Sequence, residues 1–148
     1  MKRGKQAIMV PLILILIALT TSGCGLIGAN QMNSDVAREQ LDSAVEAVQT
    51  VVGEHWEVEV APVISSCSRT HGQWVGTWTA TTAEDRASSY DSVMGALSDL
   101  GFTTRILGPN STTPSVGAQS SDGFGAEFVI LNDGETIRLN VGSDCFVE

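Results

Sequence analysis

Lysine is almost absent from this chain of 148 residues, occurring only at Lys2 and Lys5, beside Arg3. The rest of the sequence holds five arginines against 17 acidic residues, a formal net charge of −12. A surface of that sign repels phosphate backbones and anionic lipid headgroups. We therefore exclude nucleic acid as a partner, and we expect no basic patch to hold the chain on a membrane.

Groups that serve catalysis or bind metals are also scarce. The histidines, His55 and His71, are distant from each other, and the three cysteines lack the spacing of zinc ligands. No phosphate-binding loop, serine nucleophile elbow or internal repeat occurs. The sequence therefore predicts a protein that is not an enzyme and that carries no metal or cofactor.

The N-terminus has the three parts of an export signal. A basic start is followed by an apolar run, residues 7–19, and then by small residues that lead to Cys24. As a helix the run spans about 20 Å, whereas a bilayer core is about 30 Å thick. We predict that residues 1–23 are a signal peptide and not a membrane span.

The segment Thr21-Ser22-Gly23-Cys24 resembles the lipobox of bacterial lipoproteins, with Thr21 where leucine is usual. The resemblance implies cleavage before Cys24 and a diacylglycerol on its sulfur, with residues 24–33 as a tether. Each buried methylene contributes about 0.8 kcal/mol, so two or three acyl chains hold firmly. The expected location is the extracytoplasmic face of the cell membrane. An ordinary cleaved signal or an uncleaved anchor is the alternative.

The two remaining cysteines, Cys67 and Cys145, predict a disulfide, because they are an even remainder in an oxidising compartment. Two buried free thiols are the alternative. In that case Cys67 and His71 resemble a nucleophile and its base, which gives a hydrolase hypothesis.

Residues 34–148 predict a single α+β domain in the order α-β-β-α-β-β-β, a mostly antiparallel sheet with two helices packed on one face. The predicted elements are a helix Ser34–Val52, strands His55–Val60 and Gln73–Thr81, a helix opened by Thr81-Thr82-Ala83-Glu84 and ending at Leu100, and strands Phe102–Leu107, Phe124–Asn132 and Glu135–Val141.

Two patterns predict how strands face the core. A turn at Asp133-Gly134 pairs six apolar residues on one face of a hairpin: Ile130 with Ile137, Phe128 with Leu139, and Ala126 with Val141. Alternation in the first strand places Trp56, Val58 and Val60 on one face and Glu57 and Glu59 on the other. We interpret that pair of acids as solvated rather than as a paired-carboxylate site.

Two further features are candidates for binding. Gly108–Gly123 is predicted as a polar loop, which is either a lid or partner contact or simply flexible. Trp74 and Trp78 point the same way on their strand. Together with Trp56 they form either an apolar ligand platform or filling for the core.

Across residues 37–147 the chain resembles the LppA-like bacterial lipoproteins. The residues that carry the resemblance are His55-Trp56 after the first helix, Cys67, the segment 79–85 before the second helix, the segment 123–128, and Gly142-Ser143-Asp144-Cys145-Phe146. The resemblance implies an anchored, disulfide-bearing α+β domain of unestablished biochemical role, and it supplies no catalytic residues.

Together these features predict a membrane-anchored lipoprotein of the cell envelope. Its domain is expected to bind a partner protein or a cell-wall component without catalysing a reaction. A small-ligand carrier that uses the tryptophan platform is the alternative, and the Cys67–His71 hydrolase comes third.

Overall fold

Helix α1, Ser34–Val51, is the first described element in a computed structural model that describes residues 32–121, 123–131 and 133–147. The Asn33 side chain caps the helix by accepting a hydrogen bond from the backbone nitrogen of Val36, at 2.9 Å. Asp35 lies in the first turn, where the helix dipole favours a negative charge. The buried stripe of the helix consists of Ala37, Leu41, Ala44, Val45 and Val48.

The predicted signal peptide, Cys24 and the tether up to residue 31 lie outside the described residues. Within the described ranges, no helix has both the length and the apolar character needed to cross a membrane.

The remaining described elements are one helix and seven strands. They are β1 Glu54–Ser66, β2 His71–Thr81, α2 Arg86–Asp99, β3 Thr103–Leu107, β4 Ser115–Gln119, β5 Gly125–Ile130, β6 Thr136–Gly142 and β7 Phe146–Val147. The strands pair antiparallel in the order β1-β2-β6-β5-β4-β3, and β7 pairs with β2 beyond the end of β6. The predicted α+β class is confirmed.

The hydrophobic core lies between the helices and one face of the sheet. The predicted β5–β6 register is confirmed, since Ile130 pairs with Ile137, Phe128 with Leu139 and Ala126 with Val141. These six side chains are buried with those of α1 and α2 in one cluster. No helix among the described residues covers the opposite face of the sheet.

The turn between β5 and β6 is closed by local hydrogen bonds. Gly134, at φ +79°, donates its backbone N–H to the oxygen of Leu131 at 3.0 Å. The Asp133 carboxylate accepts from the Thr136 hydroxyl and from the backbone nitrogens of Thr136 and Glu135. These bonds lower the pKa of Asp133 from its usual value, the Thr136 hydroxyl contributing most.

The structure corrects the prediction of one long loop over Gly108–Gly123. Strand β4 lies inside it, placing Val116 and Ala118 in the core between β3 and β5. The connection before β4 is held against α2, because Thr112 and Pro114 accept hydrogen bonds through their backbone oxygens from Arg86 and Tyr90.

The start of α2 also differs from the predicted capping box. The helix begins at Arg86, and the Asp85 side chain caps it by accepting from the Ser88 nitrogen at 3.0 Å. Thr82 is buried, and its hydroxyl accepts a hydrogen bond from the Glu84 nitrogen. The hydroxyl therefore stabilises the turn before the helix.

The predicted alternation of β1 fails at Val60. Val58 lies opposite Trp78 and Val60 lies opposite Thr77, so two residues of β1 span a single step of β2. The pairing has three such irregularities, which rotate the strand and turn Val60 to the uncovered face. Val58 remains 58% exposed because β1 is an edge strand of the sheet.

The predicted disulfide is confirmed and closes the C-terminal segment onto the sheet. Cys67 and Cys145 are bonded across a separation of 78 residues. Beside them Asp144, 3% exposed, accepts from the Gln40 side-chain amide at 2.9 Å and donates its backbone N–H to the same side chain. The Ser143 hydroxyl accepts a hydrogen bond from the backbone nitrogen of Trp74 at 2.9 Å. These contacts join α1, β2 and the C-terminus.

We expect reduction of this disulfide to lower the unfolding free energy by about 4 kcal/mol, because opening a closed loop of this length increases the entropy of the unfolded chain. For a domain of this size the loss corresponds to on the order of 20 °C in Tm. Thermal unfolding with and without reductant measures it. A Cys67→Ser/Cys145→Ser variant is the control, and a response of that variant to reductant would contradict the assignment.

We expect Gly76→Ala to destabilise the domain by about 1–3 kcal/mol, the usual range for overpacking. A Cβ at Gly76 lies 2.6 Å from an atom of the buried Trp78 ring, which closes the space above the glycine. Gly142→Ala is the matched control, because its Cβ meets nothing nearer than 3.7 Å. Denaturant midpoints compare the two variants, and equal midpoints would show that the ring is free to move aside.

Candidate binding surface

The tryptophans of the predicted platform secure helix α1 to the sheet. The indole N–H of Trp74 donates to the backbone oxygen of Ser34 at 3.0 Å, at the start of the helix. The indole N–H of Trp56 donates to the oxygen of Val52 at 3.1 Å, just past its end. The Val52 oxygen is one of the C-terminal carbonyl groups that a helix leaves without an internal partner, whereas the Ser34 oxygen belongs to the first turn. Each indole therefore holds one end of α1.

The ring contacts of these tryptophans are with the core. Trp78 is only 6% exposed, and Trp56 and Trp74 pack against the same core cluster while partly exposed. The Arg38 guanidinium lies 5.3 Å from the centre of the Trp74 ring, and the centre of the Phe146 ring lies 6.4 Å from it. All three rings therefore contact the core, and Trp56 and Trp74 also keep part of their surface exposed.

The residues of the hydrolase hypothesis lie at the β1–β2 hairpin. Cys67 donates its backbone N–H to the oxygen of His71, and its sulfur is bonded to Cys145. The His71 Nδ1 lies 2.9 Å from the Thr70 hydroxyl and 3.2 Å from that of Ser68. In this state the sulfur is not a nucleophile. His55 lies at the other end of β1.

The two acidic residues of β1 have different surroundings. Glu59 forms an ion pair with Arg138 of β6 at 3.1 Å, with both side chains about two-fifths exposed. Such a surface pair contributes at most about 1 kcal/mol. Glu57 is exposed and lies opposite Thr79. The two carboxylates are therefore not equivalent members of a pair.

The uncovered face of the sheet, which we call the open face, is the candidate binding surface. It consists of three rows that cross the strands in the order β3, β4, β5, β6, β2 and β1. The first row is Thr103, Gln119, Gly125, Gly142, Val75 and Val63; the second is Arg105, Gly117, Glu127, Asn140, Thr77 and Val60; the third is Leu107, Ser115, Val129, Arg138, Thr79 and Glu57.

Two grooves lie side by side on the open face. The first, of about 460 Å³, is lined by polar side chains that include Thr103, Arg105 and Gln119. The second, of about 380 Å³, is lined by Val60, Val75, Glu127 and Asn140 among others. Both are bordered by Gly125 and Ala126, so the grooves adjoin.

Glycines form the floor of these grooves. At Gly125 and Gly142 an added Cβ meets nothing nearer than 3.7 Å, so the space above their backbone is open. Gly117 is instead covered by the side chain of Leu107, which forms a wall. Glycine inside a strand gives up side-chain packing and lets another molecule approach the backbone. The sheet is therefore shaped for close contact at its centre.

The polar side chains of the open face are partly fixed by one another. The Thr77 hydroxyl donates to Oδ1 of Asn140 at 3.0 Å, which leaves the Asn140 amide N–H groups for another partner. The Ser115 hydroxyl donates to Glu127 at 2.7 Å. These bonds orient an amide donor and a carboxylate acceptor at the second groove.

Arg105 is the cation of the first groove. Among the described residues, no ion pair or hydrogen bond engages its guanidinium. Three other arginines are engaged: Arg38 with Asp42, Arg138 with Glu59, and Arg86 with the backbone oxygens of Ile130 and Leu131. The guanidinium fork of an exposed, unpaired arginine has the geometry that suits a carboxylate or phosphate.

Neither Arg105 nor the glycine floor was among the predicted site residues. The signal for the floor was present, since Gly117 and Gly125 each stand beside inward-facing apolar residues, which marks them as outward positions of strands. No such signal existed for Arg105, because only the folded structure shows which arginines are paired.

No known protein-family profile matches this chain, and no curated protein matches it. One solved structure is similar: a DUF4853 family protein from Actinomyces odontolyticus ATCC 17982. The TM-score is 0.58 at 13% identity, over 77% of this chain and 68% of that one. At that identity the likeness concerns the fold alone, so what this chain shares with the DUF4853 family protein is its α+β architecture.

Proposed function

We propose that this protein is a lipid-anchored, non-enzymatic binding module on the extracytoplasmic face of the cell membrane. Residues 1–23 are removed, and acyl chains on Cys24 hold the domain at the membrane surface. In support, the basic start, the apolar run and the small residues before Cys24 stand in the order that export and lipidation require. The resemblance to the LppA-like lipoproteins belongs to the same proposal.

The disulfide supports an exported location. Bonds of this kind persist in oxidising compartments and are rare in the cytosol. Of the three cysteines in the chain, Cys67 and Cys145 are bonded to each other. This pairing leaves Cys24 for a separate role, which the proposal assigns to lipid.

The open face carries the proposed binding role. One face of the sheet is covered by α1 and α2, whereas the other presents two adjoining grooves over a glycine floor. Pockets of this size hold small ligands or a short segment of a larger partner. A non-enzymatic role is favoured because the Cys67 sulfur is bonded to Cys145. In addition, His55 and His71 lie at opposite ends of the β1–β2 hairpin.

We expect Cys24→Ala to release the protein from the membrane. The wild-type chain should stay in the membrane pellet after a high-salt wash and carry an acyl mass on Cys24, because acyl burial is insensitive to salt. A Cys67→Ser/Cys145→Ser variant should stay in the pellet as well. Equal retention of Cys24→Ala after the wash would contradict the anchor.

We expect the open face to contact a binding partner more often than the helices do. A photo-crosslinking residue placed at Thr79, in the third row, should form adducts in intact cells, and one placed at exposed Ser88 of α2 should not. Gly125→Leu should reduce the Thr79 adducts by filling the groove floor. Adducts from Ser88 alone would show that the helix side is the binding surface.

A further inference from the structure

We propose that the two grooves together bind one short peptide, with its C-terminal carboxylate on Arg105 and an apolar end on Val60 and Val75. The inference rests on the proposed binding role of the open face and names the ligand for it. It follows from the length of the combined groove, its floor, its charge and its two chemically different ends.

The combined groove has the length of a short peptide. It runs from Arg105 on β3 to Val75 on β2, which is four steps across the strand order. At about 4.8 Å per step the span is about 19 Å. An extended chain advances about 3.3 Å per residue, so about six residues fill the groove.

The floor suits a ligand with a peptide backbone. An added Cβ at Gly125 or Gly142 meets nothing nearer than 3.7 Å, so a ligand can approach the backbone at both positions. Along this path lie Gln119 and Asn140, whose amides both donate and accept, and the Glu127 carboxylate, which accepts. Backbone N–H and C=O groups need partners of both kinds when they lose water.

The charge at the first end selects a carboxylate. Arg105 has no described partner, and its fork of N–H donors matches the two oxygens of a carboxylate. The chain from residue 24 onward carries a net charge of −12, which repels polyanions at longer range. A single negative charge at a chain end gains the contact with Arg105 and suffers the least repulsion.

The apolar end is formed by valines of the first and second rows, at their positions on β1 and β2. Val60 and Val63 on β1 are nearly half exposed, and Val75 lies next to Val63 in the first row. These side chains lose exposure when an apolar residue of the ligand covers them, which favours binding. The groove therefore has a direction, with carboxylate at β3 and apolar side chain at β2 and β1.

The test uses the purified full chain in detergent and two synthetic peptides. One is N-acetyl-Val-Val-Ala-Ser-Ala-Ala with a free C-terminal carboxylate, and the other is the same peptide with a C-terminal amide. Titration followed by calorimetry gives both affinities. We expect the amide to bind about tenfold more weakly, because a charge-assisted hydrogen bond is lost.

Matched variants locate the contact. Arg105→Gln should lower the affinity for the carboxylate peptide to that for the amide peptide, and it should leave the affinity for the amide peptide unchanged. Arg69→Gln removes the same charge at an exposed arginine of the β1–β2 hairpin and should change neither affinity. Gly125→Leu should weaken both peptides, whereas Gly95→Leu, on the exposed surface of α2, should weaken neither. Unchanged thermal unfolding confirms that each variant is folded.

Four results would overturn the proposal. Equal affinity for both peptides would exclude a carboxylate contact, and equal effects of Arg69→Gln and Arg105→Gln would show a response to net charge alone. Inorganic phosphate that displaces the peptide and binds more tightly would make the groove a phosphate site. Absence of peptide binding with adducts retained at Thr79 would refute the peptide and leave the binding role of the open face intact.

Discussion

Two indole hydrogen bonds hold the ends of α1 to the sheet, and the arrangement of the domain depends on them. Trp74 reaches the first residue of the helix and Trp56 reaches the residue after its last. With both ends held, the buried stripe of α1 closes one face of the sheet. The choice of covered face also decides which face is left open to ligands.

Glycine residues, which have no side chain, shape the open face as much as the side chains around them. Glycine in a strand is costly, since it loses conformational entropy and packs nothing. Gly125 and Gly142 lie opposite each other on β5 and β6, the central strands of the sheet. The loss of conformational entropy and the loss of packing both destabilise these strands. A groove across the strands is the corresponding gain, and it ends at an arginine that the fold leaves unpaired.

Local sequence determined some elements and tertiary contacts determined others. The β5–β6 hairpin was predictable because a turn signal and six apolar residues agree on one register. Strand β4 was not, because Val116 and Ala118 are its only inward apolar residues and glycine and serine surround them. The faces of β1 were hidden by register irregularities that alternation does not anticipate. The disulfide was predictable because two cysteines remain once Cys24 is assigned to lipid. The unpaired state of Arg105 was not, because it depends on which side chains surround it in the folded domain.

The junction of α1, β2 and the C-terminus has a mechanical consequence. Pulling on the N-terminal end of α1 loads the Ser34–Trp74 hydrogen bond and the Gln40–Asp144 pair at once. Asp144 adjoins Cys145, so the force passes into a covalent bond and from there into β1 through Cys67. A domain built in this way resists being peeled apart from its first helix, because the covalent bond carries part of the load.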